Sequence, residues 1–430
     1  MKRFLRVALP CAAALLIAAF FLFRGRAAPD EGAQTAAAPL RVAVVSDIHY
    51  TGEADYRYTG SFAAANDASG SGKQVELLPQ LLDAFAAQLL REKPDVLLIT
   101  GDNAFNGARV SHEALIRKLA PLREAGILVL TLPGNHDINT RALIFPDGEA
   151  QNAISVTPEE FAALYADFGY DGALSRDADS LSYVYDTGAG TRIFMLDTNF
   201  RYGAVYGRVR EETLGWLSRE LKACRDAGGR ALVAGHHNML VHNPLFAFNY
   251  TVDDGEALRQ LLEANGVTLF LSGHLHPQSI VSEGGVSDIA TECFAVYPHR
   301  YGLIELEGDI WRYTACETDV ESWAAENGLQ DERLTLYRQY GYDFLYEATA
   351  RQLREQLAGL EDESAREELC GLLAQANVNY FIGEPSPAPE EAMQQLLTKT
   401  DLGFFAGYLS TITDLPSSLF AEGRFGTGEP

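Results

Sequence analysis

Short polar motifs occur along the first 280 residues, each at the point where an apolar run gives way to glycine or to a polar turn. They are Asp47-Ile48-His49, Gly101-Asp102-Asn103, Gly134-Asn135-His136-Asp137, Gly235-His236-His237 and Gly273-His274-Leu275-His276. Their side chains offer imidazole nitrogens and carboxylate or amide oxygens, the donors that borderline divalent metal ions accept. Such ions assist the hydrolysis of phosphate esters, whose anionic centre repels a nucleophile. The motifs therefore indicate metal-assisted hydrolysis.

The segments around these motifs must form the elements that position them. The apolar runs are predicted to be strands over residues 42–45, 96–100, 128–132, 231–234 and 268–271. Helical periodicity alternates with them over residues 75–91, 111–125, 158–168, 211–227 and 255–264. This alternation predicts an α/β fold with right-handed crossovers, arranged as a two-sheet α/β/α sandwich. Parallel strands end at one sheet edge, where open α/β folds place their sites.

The remaining segments are predicted with less detail. Short strands over residues 301–307 and 310–314 are expected to close the second sheet. Residues 318–430 are expected to form a mainly helical C-terminal extension, with helices at 331–341, 344–360, 364–376 and 389–397. This extension is a cap over the site, a surface for a partner, or a stabilising appendage. Residues 50–73 are predicted to be a long loop that faces either substrate or solvent.

The order of the motifs resembles that of the calcineurin-like metallophosphoesterases, over residues 40–315. Within that superfamily the chain is most similar to the branch that contains cyclic-nucleotide phosphodiesterases. The similarity rests on Ser46-Asp47-Ile48-His49, Pro133-Gly134-Asn135-His136-Asp137 and Leu196-Asp197-Thr198. The resemblance implies the two-sheet sandwich and a catalytic domain at residues 40–317. A departure is Asn103-Ala104-Phe105-Asn106, where the branch often has a hydroxyl residue and another acid.

The resemblance also implies which residues bind metal. One ion would be held by Asp47, His49, Asp102 and His276, and the other by Asp102, Asn135, His236 and His274. Asp102 would bridge them, because a carboxylate has two oxygens and can bind two ions at the spacing that two-metal hydrolases use. His237 would support the ligands without binding an ion. These donors suit Mn, Fe, Zn or Co, so the identity of the two divalent metals stays open.

The implied chemistry is hydrolysis of a phosphate mono- or diester by a hydroxide that the two ions share, since bound metal lowers the pKa of water. His136 is not expected to be a ligand. By resemblance it lies beside the scissile bond, where its imidazolium would protonate the leaving oxygen or stabilise the transition state. Asp137 would orient His136, as carboxylates commonly orient catalytic imidazoles.

A rival interpretation is a non-catalytic protein on the same fold, which binds a phosphate-containing ligand or acts as a scaffold. The complete ligand set, together with His136, favours an enzyme, because a decayed enzyme is expected to have lost at least one of these residues. Phospholipids, nucleotides and phosphosugars all remain possible substrates.

The N-terminus predicts export. Residues 1–26 begin with basic residues and continue as an apolar stretch, typical of a signal peptide or a signal anchor, and residues 27–39 are predicted to be a linker. The expected location is the cell envelope, with the domain anchored by this segment or secreted after cleavage. Contact with a membrane is expected only through this segment, because the formal net charge of −25 disfavours binding to extended nucleic acid or an anionic membrane surface. A small phosphate ester is the expected partner, and the oligomeric state is open.

Overall fold

The computed structural model describes residues 39–52, 55–69, 71–138, 141–398, 402–416 and 420–426. The predicted signal segment at residues 1–26, and the linker apart from Pro39, lie outside the described residues. Among the residues that are described, no helix combines the length and the apolar character that crossing a membrane requires.

The first sheet positions the earliest motifs. Its strands, in spatial order, are Glu422–Gly426, Ile310–Glu317, Arg300–Glu307, Arg41–Val45, Val96–Ile99 and Leu128–Thr131. The last three are parallel, as predicted, and helices Leu78–Glu92 and Arg109–Glu124 connect them. The hairpin formed by Arg300–Glu307 and Ile310–Glu317 pairs with Arg41–Val45, so the prediction that it closes the second sheet is wrong. The hairpin occupies the backbone groups that would otherwise leave Arg41–Val45 as an open edge.

The second sheet positions the later motifs. Its strands, in spatial order, are Ser279–Glu283, Val286–Ala290, Leu269–Ser272, Arg230–Ala234, Thr191–Met195, Tyr183–Asp186 and Ser175–Arg176. Alternate side chains point to opposite faces: Leu232 and Ala234 join the core between the sheets, while Val233 joins an outer core. Helices Glu211–Asp226 and Gly255–Ala264 cover that outer face. The predicted two-sheet α/β sandwich is confirmed.

The C-terminal extension is mainly helical, as predicted. Its helices are Val320–Glu326, Glu332–Thr335, Tyr337–Gln356, Glu363–Phe381, Glu391–Leu397 and Gly403–Ile412. The expected break near Gly341 is absent, because this glycine serves close packing within a helix. A Cβ there would lie 2.3 Å from the Tyr297 ring. Strand Glu422–Gly426 was not predicted; it pairs with Ile310–Glu317 and returns the tail to the first sheet.

The segment at residues 50–73 is not a continuous loop, since it contains helix Gly60–Ala68. An aromatic cluster anchors it. The Phe62 ring stacks on Phe145 with centroids 4.4 Å apart and meets Phe105 edge-on at 5.7 Å. Because Phe105 lies three residues after Asp102, this helix supports the backbone beside the second motif.

A buried histidine links the first sheet to the C-terminal helices. His299 donates from Nδ1 to the Phe294 carbonyl at 2.6 Å, and its other ring nitrogen contacts the Tyr337 hydroxyl. Burial lowers the pKa of His299 to about 4 from an ordinary value of 6.5. The His299 ring is therefore neutral in the folded protein, where it makes these two contacts.

We expect His299 to make folding stability depend on pH. Its folded pKa is depressed, so between pH 6.5 and 4 the unfolded chain binds a proton that the folded chain does not, and stability falls as the pH drops. From pH 6.5 to about pH 5 this group should contribute about 2 kcal/mol to the loss. Urea unfolding of wild type and His299→Asn at several pH values measures this contribution. Asparagine tolerates the left-handed φ of 59° at this position. Equal losses in both proteins would contradict the assignment.

Candidate metal centre

The predicted ligands meet where the strands of both sheets end. Asp47 follows strand Arg41–Val45, Asp102 follows Val96–Ile99, and His236 follows Arg230–Ala234. The seven predicted ligands are Asp47, His49, Asp102, Asn135, His236, His274 and His276, and each lies within reach of another. The five sequence motifs therefore form one site.

The first predicted set surrounds the Asp47 carboxylate. Its Oδ1 lies 3.8 Å from His49 Nε2 and 3.6 Å from His276 Nε2. His49 Nε2 also lies 3.8 Å from Asp102 Oδ2. These separations are longer than hydrogen bonds, and they bring two carboxylates and two imidazoles around one space.

The second predicted set surrounds His236. Its Nε2 lies 3.5 Å from Asp102 Oδ1 and 3.1 Å from Asn135 Oδ1. Ligand atoms of Asp102, His236 and His274 all lie within 4.8 Å of one another. Asp102 therefore presents Oδ2 to the first set and Oδ1 to the second, which is the arrangement that a bridging carboxylate requires.

Backbone strain is concentrated at these ligands. The left-handed region is occupied by Asp47 (φ 51°), His49 (φ 47°), Asp102 (φ 52°), His274 (φ 62°) and His276 (φ 79°). Such conformations cost about 1–3 kcal/mol for a residue that is not glycine, and they persist where function requires them. The turn at His274 and His276 lets these two residues, which are only two positions apart, reach different ligand sets.

Hydrogen bonds fix the tautomers of two of the predicted ligand histidines. His236 donates from Nδ1 to the Thr100 carbonyl at 2.9 Å, which leaves a lone pair on Nε2. His274 donates from Nε2 to the Asn249 carbonyl at 3.1 Å, which leaves a lone pair on Nδ1. Metal-binding histidines commonly donate their second N–H in this way. Both rings thus offer a lone pair beside Asp102.

The protonation states of these side chains also favour metal binding. Burial lowers the pKa of His274 to about 3, and burial likewise lowers the pKa of His49 and of His276. These rings are neutral at pH 7, the form that binds metal. Burial opposes ionisation of Asp47, but its contact with His276 holds the pKa of its carboxyl well below the usual value. Asp102 raises the pKa of His236 against the effect of burial, so this pocket attracts positive charge.

Unpaired polar atoms test whether metal ions fit. Asp47 Oδ1 and both ring nitrogens of His49 are buried and have no hydrogen-bond partner among the described residues. Such atoms are costly to bury unless a ligand compensates them. A divalent cation between Asp47 and His49 would satisfy the oxygen and one nitrogen together. The donor set therefore fits the metal ions that the sequence predicts.

His136 lies at the rim of the site. It donates from Nδ1 to the Phe105 carbonyl at 3.1 Å, and its Nε2 lies 4.0 Å from Asp102 Oδ2. Its side chain is 42% exposed, whereas that of Asp102 is 2% exposed. Nε2 of His136 thus lies between the predicted ligands and the open side of the site.

Asp137 does not orient His136, so that expectation is wrong. The Asp137 carboxylate is buried and accepts hydrogen bonds from Asn103 N, Asn103 Nδ2, Ala104 N and Gly134 N at 2.9–3.1 Å. Neighbouring residues in this turn point to different sides, so Asp137 faces the protein interior while His136 faces the site. Its carboxylate joins the Asp102 loop to the Asn135 loop, and the Phe105 carbonyl holds the His136 ring.

We expect Asp137→Ala to destabilise the fold by about 2 kcal/mol, because it leaves buried backbone N–H groups unpaired. Turnover should fall as well, since the Asp102 and Asn135 loops lose their link. Urea unfolding of the wild type and the variant measures the first effect. An unchanged unfolding midpoint would show that this carboxylate does not hold the two loops.

His237 and His112 have structural partners. The His237 ring contacts Thr198 Oγ1 at 2.8 Å and the Val205 carbonyl at 3.0 Å, so neither nitrogen is left for metal. Its ring lies 4.5 Å from the His274 ring and supports it. His112 contacts the Tyr165 hydroxyl and the Asp137 carbonyl, both at 3.0 Å.

Two residues beside the site were missed from the sequence. The Cys293 thiol lies within 4.8 Å of ligand nitrogens of His49 and His276. Burial raises the pKa of Cys293 well above its usual value, so it is a neutral thiol there. Lys73 lies close enough for its charge to help lower the pKa of both histidines. The one available signal was that Cys293 follows strand Val286–Ala290 at the same sheet edge.

Comparison with known proteins places this site in a family. A family model for the calcineurin-like phosphoesterases matches residues 40–278, and one for the C-terminal domain of cyclic nucleotide phosphodiesterase matches residues 319–414. A cAMP/cGMP dual specificity phosphodiesterase of Mycobacterium tuberculosis is 28% identical over 54% of this chain and 60% of that protein. A 3′,5′-cyclic-nucleotide phosphodiesterase of Nostoc is 25% identical over 56% of this chain and 73% of that protein.

A crystal structure of a dimetal phosphatase from Danio rerio aligns with a TM-score of 0.47 and 14% identity, over 65% of this chain and 96% of that chain. The first family model covers more than half of the chain and includes all the predicted ligands. The resemblance seen in the motifs is confirmed: the chain belongs to the calcineurin-like phosphoesterase family.

Proposed function

We propose that the protein is a phosphodiesterase that uses two divalent metal ions. The observation that carries this proposal is the placement of Asp102, whose Oδ2 faces His49 at 3.8 Å and whose Oδ1 faces His236 at 3.5 Å. One ion would be held by Asp47, His49, Asp102 and His276, and the other by Asp102, Asn135, His236 and His274. When bound, such ions neutralise phosphate charge and lower the pKa of water to supply a nucleophile near neutral pH.

His136 supplies the proton for the leaving oxygen. Its Nδ1–H is held by the Phe105 carbonyl, so Nε2 is the atom that exchanges a proton. This nitrogen is at the partly exposed rim and 4.0 Å from Asp102 Oδ2, beside the space where an ester would lie. In the protonated ring, Nε2–H donates to the leaving oxygen as the ester bond breaks.

A diester is the favoured substrate class. A diester carries one negative charge, whereas a monoester dianion carries two. A protein whose formal net charge is −25 repels the diester less strongly. The relatives from Mycobacterium tuberculosis and Nostoc are phosphodiesterases of cyclic nucleotides. A 3′,5′-cyclic nucleotide is therefore the first natural substrate to test, although export would separate this domain from a cytosolic pool.

We also propose that the enzyme acts in the cell envelope. The support is the basic start and apolar stretch of residues 1–26, which suit a signal peptide or an anchor. Fractionation of cells that make the full chain, with an antibody against the catalytic domain, tests this. Recovery of the protein only with the cytosol would overturn the location without affecting the proposed chemistry.

The test of the activity is turnover by the purified protein after reconstitution with Mn, Zn, Fe or Co. The substrates are bis-p-nitrophenyl phosphate, p-nitrophenyl phosphate and 3′,5′-cyclic AMP. We expect metal-dependent hydrolysis with a preference for the diesters. Two bound ions without hydrolysis of any substrate would favour the rival interpretation, a protein that binds a phosphate-containing ligand.

A further inference from the structure

A cavity of about 360 Å³ lies between the metal centre and the C-terminal helices. His276, a predicted ligand, forms part of its wall on the catalytic side. Helices Tyr337–Gln356, Glu363–Phe381 and Gly403–Ile412 supply most of the opposite wall. Cavities of about 300–1,000 Å³ bind small organic molecules. Its position means that a group attached to a phosphate at the metal centre can enter it.

Aromatic rings lead from the metal ligands into this cavity. The Tyr250 ring lies 5.2 Å from that of His274, the Phe246 ring lies 5.6 Å from Tyr250, and the Tyr408 ring lies 6.0 Å from Phe246. Tyr250, Phe246 and Tyr408 all line the cavity. The rings meet tilted or edge-to-face, which are arrangements that aromatic pairs favour. The wall thus presents several aromatic rings against which an aromatic group can pack.

Polar side chains in the wall are held in fixed orientations. The Tyr408 hydroxyl donates to Asn377 Oδ1, and Asn377 Nδ2 donates to Thr349 Oγ1 at 3.1 Å. Thr349 in turn donates to the Leu345 carbonyl at 2.9 Å. This chain of hydrogen bonds crosses from helix Gly403–Ile412 to helix Tyr337–Gln356. It places an amide and two hydroxyls where the polar edge of a ring would lie.

The wall carries no formal charge while the His276 ring is neutral. Among the described residues that line the cavity, none is Asp, Glu, Lys or Arg, in a chain whose formal net charge is −25. A second phosphate or a carboxylate placed here would lose its hydration without gaining a counter-charge. The lining therefore selects a neutral group and disfavours polyphosphates and bisphosphates.

We infer that this cavity binds the neutral aromatic group of the diester whose phosphate lies at the metal centre, a group of the nucleobase class. Tyr250 and Tyr408 supply stacking faces, and Asn377 supplies a polar contact, so these residues determine specificity. The C-terminal helices thereby form a cap that completes the substrate site. This inference rests on the proposed phosphodiesterase function and specifies its substrate class.

The cap is fastened to the catalytic domain on two sides of the cavity. Asn243 Nδ2 donates to Thr411 Oγ1 at 3.0 Å, which holds helix Gly403–Ile412. Arg351 lies 3.6 Å from Asp67, which links helix Tyr337–Gln356 to helix Gly60–Ala68. The cavity is therefore formed before any ligand binds, and a substitution that fills it should act on the organic group rather than on the metals.

The test fills the cavity from the cap. Gln352 lines it, whereas Glu355 lies exposed on the same helix and does not line it, so Gln352→Trp and Glu355→Trp are a matched pair. For 3′,5′-cyclic AMP we expect Gln352→Trp to raise KM about 10-fold, the scale of losing a base–aromatic contact. The inhibition constant of this variant for orthophosphate should not change, because orthophosphate binds only at the metal centre. Glu355→Trp should match wild type in both measurements.

A second readout needs neither metal nor turnover. Saturation-transfer NMR with adenosine and the metal-free protein should show binding to wild type and Glu355→Trp, and its loss in Gln352→Trp. Asn377→Leu should weaken binding as well, and thermal unfolding of each variant checks that it is folded. Unchanged KM and unchanged adenosine binding in a folded Gln352→Trp would overturn the inference while leaving the phosphodiesterase intact. No hydrolysis by wild type would instead overturn the proposed function.

Discussion

Replacing Asp102 with Asn should reduce turnover by about 10³-fold or more, because stabilisation by two metal ions is worth several kcal/mol. The carboxylate lies between His49 and His236, one oxygen toward each. An amide has one acceptor oxygen and no charge, so it cannot bind both ions. Bound metal should fall below two ions per chain. Elemental analysis and turnover on bis-p-nitrophenyl phosphate measure the two effects.

Asp309→Asn is the matched control for this variant. It makes the same chemical change at an exposed carboxylate in the turn between Arg300–Glu307 and Ile310–Glu317, where Asp309 pairs with Arg230 at 2.7 Å. We expect wild-type turnover and metal content from it. If Asp102→Asn kept two ions and full activity, Asp102 would not bridge and the two-metal assignment would be wrong.

Replacing His136 with Ala should reduce turnover by about 10²-fold or more, the scale of general acid catalysis. Metal content should stay close to wild type, because His136 lies at the rim and its Nδ1 is held by Phe105. This combination separates a proton donor from a ligand. Elemental analysis and turnover should be measured on the same preparation.

The leaving group gives a further check on His136. A substrate with a good leaving group, such as bis-p-nitrophenyl phosphate, needs less help from an acid than a diester with an alkoxide leaving group. The loss in His136→Ala should therefore be larger for 3′,5′-cyclic AMP, and added imidazole should restore part of it. Loss of metal in this variant would instead place His136 among the ligands.

The core of the fold and the motifs that meet at the candidate metal site were predictable from the sequence because both depend on local patterns. Apolar runs such as residues 231–234 alternate between two cores, and the motif that follows each run is delivered to the sheet edge. The alanine-rich helix Gly60–Ala68 was missed although alanine favours helix, because its apolar residues do not form a clear periodic face.

The errors concern contacts between segments that are distant in sequence. Whether the hairpin at Arg300–Glu307 pairs with the first or the second sheet depends on which edge is open, and no local signal specifies that. The direction of Asp137 depends on how a turn packs against Asn103. The cavity beside His276 depends on helices more than 60 residues further along the chain.

The most direct test of the proposed two-metal phosphodiesterase function is a metal titration of the purified, metal-free protein, with hydrolysis of bis-p-nitrophenyl phosphate and bound metal measured at each step. We expect no hydrolysis without metal and a rise that reaches its plateau when two ions are bound per chain. Full activity with a single bound ion, or hydrolysis that does not depend on metal, would contradict the shared role of Asp102.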